Sequence, residues 1–357
     1  MKKTLLALAA IAASSASFAQ SSVTLYGVVD ASLESVKGDS TVTRVSSDNL
    51  STSRLGLKGS EDLGGGLKAN FNLEHSFKVD TGATGNARFW DRAAWVGLAG
   101  GFGDIRLGRI DTPIGDIAGN VLSAQNYDDL KIVGTRAGVD YRRADNAVTY
   151  FLPTLVPGLT ASLQYSTGNG TSGAPSGEVA GSNWGKAYGL SVKYAAGPLS
   201  AGLGYEYARD EVIDTTLAGN QKANATLGYV GYDLGVAKVT AYYDAESALN
   251  PVNAAAGLNK RLTVLGAKVA VPVAPSFTAV IGLSEARNVL GDPSTDDNVE
   301  VVTIKGIYDL SKRTSVYGMF TNVNNAKNTK LGIVGGPAVN TNDKTTHGIA
   351  VGIRHTF

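Results

Sequence analysis

Polar and apolar residues alternate with period two along almost the whole chain, and this limits the possible folds more than any other feature. In LKANFNLEHSFKV, Leu67, Ala69, Phe71, Leu73, His75 and Phe77 fall on one side. Lys68, Asn70, Asn72, Glu74, Ser76 and Lys78 fall on the other. LTASLQYST (159–167) and AKVTAYYDA (237–245) divide the same way. A strand shows successive side chains to opposite faces, so each stretch reads as a strand with one apolar and one polar side. The closing GIAVGIRHTF sets Ile349, Val351, Ile353, His355 and Phe357 against Gly348, Ala350, Gly352, Arg354 and Thr356. An apolar last residue in such a pattern implies a terminus held in place rather than frayed. Two stretches are less clear. RAAWVGLAG (92–100) is apolar on both faces, as at a subunit interface or against an inner loop, and 314–322 shows no split.

Seven short turns punctuate the strands: EDLGGGL (61–67), LAGGFGD (98–104), TLVPGL (154–159), AAGPL (195–199), YDLGVAK (232–238), PVAPSF (272–277) and YDLSKRT (308–314). Long polar stretches such as 166–185 and 324–346 lie between them. Seven turns separate eight hairpins, hence sixteen strands, at about 21 residues per strand and connection. That spacing suits membrane-crossing strands of roughly 9–11 residues with short turns at one end and long loops at the other.

The start, MKKTLLALAAIAASSASFAQ, has two lysines, an apolar run and a small-x-small site at Ser17-Phe18-Ala19. It reads as a cleaved secretory leader, 1–19, ahead of a single domain, 20–357. No later apolar run is long enough for a spanning helix. The chain has no cysteine, which removes disulfides, thiol chemistry and zinc ribbons together. Its formal charge is +1, falling to −1 without Lys2 and Lys3, so it lacks the basic excess that would grip nucleic acid. The fold class is all-β: a sixteen-stranded antiparallel transmembrane barrel, apolar side to lipid and polar side to a channel. An open edge in hydrocarbon would strand backbone donors, so 346–357 is expected to pair with 22–34. Polar replacements should be accepted more easily at Thr356 and Gly352, on the lumen side, space permitting.

Catalytic and metal patterns are missing. No G-x-S-x-G elbow, H-E-x-x-H pair or P-loop occurs among residues that include only three histidines, His75, His347 and His355. DPSTDDNVE (292–300) lacks the spacing of a calcium loop. The informative residues are basic. Arg54 lies opposite Leu55 and Leu57, Arg106 shares a face with Gly108, and Arg143 shares the parity of Ala147 and Thr149. Arg92 precedes the doubly apolar strand, and beside these strands runs the longest connection, 111–136.

Five motifs then carry a resemblance over essentially all of residues 20–357. They are SSVTLYGVVDASLE, STSRLGLKGSEDLGGGLKANFNLE (51–74), FGDIRLGR (102–109), YDLSKRTSVYG (308–318) and the closing GIRHTF. Together they resemble the general-diffusion porins of β-proteobacterial outer membranes. The resemblance implies a homotrimer among outer-membrane lipid and lipopolysaccharide, passing small anions and hydrophilic solutes without a cofactor. It implies that Phe357 is read by the barrel-assembly machinery. It implies that the third loop folds into the lumen opposite a basic wall of Arg54, Arg92 and Arg143, with Glu74 close by; Arg106 joins the wall by parity. Asp111, Asp116, Asp128 and Asp129 are the loop's acidic candidates. An anion about 5 Å from one guanidinium gains about 0.8 kcal/mol in water, so three free ones would give about 2.5 kcal/mol. That would bias passage without trapping the solute. A substrate-specific channel with a saturable site is the alternative.

Overall fold

In the computed structural model the alternating stretches form seventeen strands of one antiparallel sheet. It describes residues 22–122, 124–133, 142–168, 186–209, 222–249, 261–291 and 296–357. The leader 1–19 lies outside the described residues, as do parts of the long stretches at 134–136, 169–185 and 292–295. The strands run β1 Ser22–Lys37, β2 Thr41–Ser47, β3 Arg54–Gly64, β4 Leu67–Ser76, β5 Ala93–Gly100 and β6 Gly103–Asp111. They continue with β7 Arg143–Phe151, β8 Leu159–Thr167, β9 Lys186–Ala196, β10 Leu199–Arg209, β11 Lys222–Asp233 and β12 Lys238–Leu249. The last are β13 Leu262–Ala274, β14 Phe277–Arg287, β15 Val299–Asp309, β16 Thr314–Asn325 and β17 Thr346–Thr356. Two helices, α1 Pro113–Val121 and α2 Asp129–Val133, lie between β6 and β7.

The ring closes where expected. β1 pairs with β17 from Val28 opposite Thr356 up to Lys37 opposite His347. Below that register Gly27 and Phe357 exchange backbone hydrogen bonds of 3.1 Å in both directions. Each expected short turn joins two strands at the same end. The tightest, Gly64-Gly65-Gly66, holds φ of 84°, 62° and 82°, a left-handed run that side chains resist.

The count of sixteen is met in an unexpected way. The upper half of β1, Ala31–Lys37, pairs with β2, and its lower half, Ser22–Val28, pairs with β3. β2 and β3 therefore occupy one track, broken by a detour at 48–53. Side chains make the missing ladder bonds there: Ser53 N–H donates to Asp48 Oδ1 at 2.7 Å, and Asp30 N–H to Ser53 Oγ at 3.1 Å.

Side-chain exposure follows the alternation. In β17, Ile349, Val351 and Ile353 are exposed outward, while Thr346 and Ala350 are buried. The two unclear stretches are resolved by packing inside the ring. Trp95 of β5 joins Ile110, Ala144, Ala147 and Phe151 in an inner cluster, while Val96 and Leu98 face out. In β16, Tyr317, Met319 and Val323 are buried in the main core, which lies inside the barrel. Thr321, on the same buried face, donates to the Tyr127 carbonyl of the segment after β6.

Glycines serve as seats for aromatic rings. Tyr26, Tyr229, Tyr242 and Tyr317 stand directly opposite Gly56, Gly202, Gly266 and Gly352 on neighbouring strands. This pairing corrects one expectation: Gly352 faces the lumen but has no room for a side chain. A Cβ there would meet Tyr317 Cζ at 2.5 Å and the Ala31 carbonyl oxygen at 2.6 Å.

Two outcomes check the faces. Val351→Arg, at the middle of β17, should destabilise by about 2–4 kcal/mol through charge in hydrocarbon. Gly352→Ala should cost about 1–3 kcal/mol through overpacking. Thermal unfolding in detergent or bilayer measures both, against Thr356→Ser as the tolerated control.

Candidate functional site

The segment after β6 turns into the lumen at a built helix start. Thr112 caps α1, accepting the Gly115 N–H at 3.0 Å, and Pro113 takes the first helical position, where no donor is needed. The inner face of α1, Ile114, Ile117 and Val121, is buried. It lies close to β10 because Gly202 and Gly204 offer no side chains: a Cβ at Gly204 would be 2.9 Å from Ile117 Cγ1. The segment thus packs on the β9–β11 side and faces β4–β7 across the lumen. Between them is a cavity of about 250 Å³ lined by Glu74, Arg92, Trp95, Arg106, Asp111 and Asp116, among others.

On the wall, Arg54 and Arg92 share one carboxylate. Arg92 Nε lies 2.5 Å from Glu74 Oε1, and Arg54 Nε lies 3.5 Å from Glu74 Oε2. The Tyr26 hydroxyl, seated over Gly56, is 2.9 Å from both Glu74 Oε2 and Asn72 Oδ1. Two guanidinium groups on one carboxylate leave a net charge of +1 at this place.

The remaining predicted residues are arranged differently. Arg106 lies between the rings of Trp95 and Phe151, its guanidinium carbon 4.3 and 4.4 Å from their centroids. Its Nε and Nη2 both donate to Asp104 Oδ2, at 2.9 and 2.7 Å, so it is stacked and neutralised. Arg143 Nε lies 3.0 Å from Asp111 Oδ1. Its parity with Ala147 does not carry through, because a bulge intervenes. Gly108 is opposite Ala147 and Ile110 opposite Ala144, with Asn146 at φ 49°. Asp116 pairs with Lys193 at 2.5 Å. Asp128 and Asp129 are not brought to the arginines at all: both are buried against Lys268 of β13, at 2.7 and 3.1 Å. Burial, with Asp128 beside it, raises the Asp129 carboxyl above its ordinary range against the pull of Lys268.

Paired in this way, the wall offers about 0.8 kcal/mol of anion attraction from the Arg54–Glu74–Arg92 group at about 5 Å in water, rather than the value for three free charges. Further charged groups escaped the sequence reading. Arg109 and Arg88 share Asp145, the Arg109 contact measuring 2.6 Å. Arg354, whose Nη2 lies 3.3 Å from Ser315 Oγ, was legible from the alternation of the last strand. The histidines have structural contacts. His75 stacks on Phe89 at 4.5 Å, His347 lies 6.2 Å from the Phe320 ring, and His355 Nδ1 is 2.9 Å from Thr314 Oγ1. Among the described residues no three or more His, Cys, Asp or Glu are gathered as metal ligands.

Comparison with known proteins gives a consistent set of relatives. The family model described as Gram-negative porin matches residues 5–328. Outer membrane porin protein 32 of Delftia acidovorans is 32% identical over the full length of both chains. Major outer membrane protein P.IB of Neisseria meningitidis is 26% identical over 88% of this chain and 91% of its own. Among solved structures, the anion-selective porin from Comamonas acidovorans superposes with a TM-score of 0.81 at 28% identity, covering 95% of this chain and all of that one.

Glu74 is the residue on which the wall's geometry turns. Glu74→Gln should leave two guanidinium groups facing each other and lower thermal stability by about 1–3 kcal/mol. Glu61→Gln, at an exposed position of β3, should leave it unchanged.

Proposed function

We propose, from the premise that the chain belongs to the Gram-negative porin family and forms an outer-membrane diffusion channel, that its lumen prefers anions among the small hydrophilic solutes and ions it passes. The inward segment narrows the bore, and solutes cross it beside the shared Arg54–Glu74–Arg92 group, whose net positive charge carries this reading. An attraction of about 0.8 kcal/mol enriches anions locally a fewfold and releases them as readily, as fast passive passage requires. Arg106 and Arg143 shape the field as members of neutral pairs, and Asp111 and Asp116 border the same cavity. The anion-selective solved relative supports the sign of the preference.

No side chain acts as a catalyst in this reading, and no cofactor or metal takes part. The working unit is a homotrimer set in outer-membrane lipid and lipopolysaccharide. Residues 1–19 are removed on export, leaving the barrel domain 20–357. Phe357, at the closed seam, is the residue the barrel-assembly machinery reads.

The double variant Arg54→Gln/Arg92→Gln tests the selectivity. It keeps Glu74 and so changes the local charge from +1 to −1, a swing of about 1.7 kcal/mol before screening. The reversal potential of single trimers in a gradient near 0.1 M salt should move from anion toward cation preference. The shift should fade near 1 M salt, where the Debye length falls from about 10 Å to about 3 Å. Conductance in molar salt should stay near wild type. An unchanged reversal potential at low salt would overturn the role given to these arginines.

A further inference from the structure

The far half of the inward segment is fastened to the wall opposite the arginines, and one side chain makes three of the fastening contacts. Lys268 Nζ lies 2.7 Å from Asp128 Oδ2 and 3.1 Å from Asp129 Oδ1, and donates to the Val121 carbonyl, the last of α1, at 3.1 Å. Its three donors thus meet two carboxylates and a helix-end oxygen, and the residue is only 8% exposed. The Tyr242 ring lies 5.1 Å from Lys268 Nζ, and its hydroxyl donates to Asp129. Further round the wall, the hydroxyls of Thr303 and Thr321 each lie 3.1 Å from the Tyr127 carbonyl oxygen. The Tyr127 hydroxyl reaches Glu34 at 3.1 Å, and the Gln125 N–H donates to the Asn49 carbonyl in the detour between β2 and β3.

We infer that Lys268 is the positioning residue of the constriction: its ammonium gives residues 124–133 a single resting place and so fixes the bore. This rests on the reading of the inward segment as the narrowing of the channel. The physical ground is an asymmetry of support. Strand β13 is held by backbone bonds on both edges, to β12 and β14. The segment is held by side-chain contacts and a few loop bonds. Without the ammonium, two adjacent buried carboxylates would keep only Lys305, buried on β15 and interacting with Asp128, to offset their charge, which is unfavourable. The less supported partner then leaves, and it leaves into the lumen.

Single-channel recording of the whole protein tests this with four variants. Wild type should hold one steady open level. Lys268→Met should step among several levels and close at lower voltage, while the thermal unfolding of the barrel stays near wild type. Lys268→Arg should hold a steady level. So should Lys268→Met/Asp128→Asn/Asp129→Asn, because removing both sides of a buried pair costs far less than removing one. A steady Lys268→Met channel would overturn the inference. A triple variant as unsteady as Lys268→Met would also overturn it, since the amine would then act through bulk rather than charge. Should Lys268→Met fail to fold, Tyr242→Phe takes its place: it removes one bond to Asp129 and should show intermediate stepping, and a steady level there overturns the inference equally. The readout is the number of conductance levels. Failure of the selectivity reading would appear in the reversal potential instead, so the two are told apart.

Discussion

A strand in hydrocarbon can send its backbone N–H and C=O groups only to another strand, and everything else in this protein follows from satisfying that demand. The sheet has to return to itself, so β17 meets β1 and the terminal Phe357 becomes part of the wall. Once the ring is closed its outside must be apolar. A conventional core is therefore displaced inward, where buried residues of the segment and of the β11–β17 wall form the main cluster. The detour at 48–53, where the ladder is interrupted, is patched by Asp48 and Ser53 and touches the inward segment. The break in the wall and the docking of the segment are one feature.

Inside the ring, the recurring element is a tyrosine lying over a cross-strand glycine with its hydroxyl on a carboxylate. Tyr26 over Gly56 reaches Glu74, Tyr317 over Gly352 reaches Asp30, and Tyr242 over Gly266 reaches Asp129. The glycine lets the ring lie close to the wall, and the ring in turn covers backbone that a missing side chain would expose. Each hydroxyl then orients an acid: Glu74 before Arg54 and Arg92, Asp129 before Lys268, and Asp30 toward the Ser51 N–H of the detour. The electrostatics of the lumen are thus set by flat rings as much as by the charges.

The barrel was legible in the sequence because its signal is short-range. The alternation of Ile349, Val351 and Ile353 and the run Gly64-Gly65-Gly66 each report a local backbone state, and the structure keeps them. The site was less legible because its geometry depends on pairings between distant residues. Parity assigned Arg54 to the lumen and the resemblance put Arg92 beside it, but neither could show that they share Glu74. At Arg143 the bulge at Asp145 and Asn146 shifts the alternation of β7 by one, and no local pattern marks it. Asp128 and Asp129 looked like acids available to the arginines; only Lys268, far along the chain, shows where they are spent. Gly352 was expected to accept polar replacements if space permitted, and a sequence does not display the ring of Tyr317 that fills that space.

The seam has a consequence for how such a chain comes to be folded. The hydrogen bonds between Gly27 and Phe357 join residues separated by nearly the whole polypeptide. Loop-closure entropy makes such a contact late and slow. Until the last strand has been synthesised, β1 presents an unpaired edge with no partner in existence, and exposed strand edges invite association with other chains. Folding strand by strand as the chain emerges is therefore closed to this protein. It has to be kept apart from its neighbours, in full length, until both ends can meet.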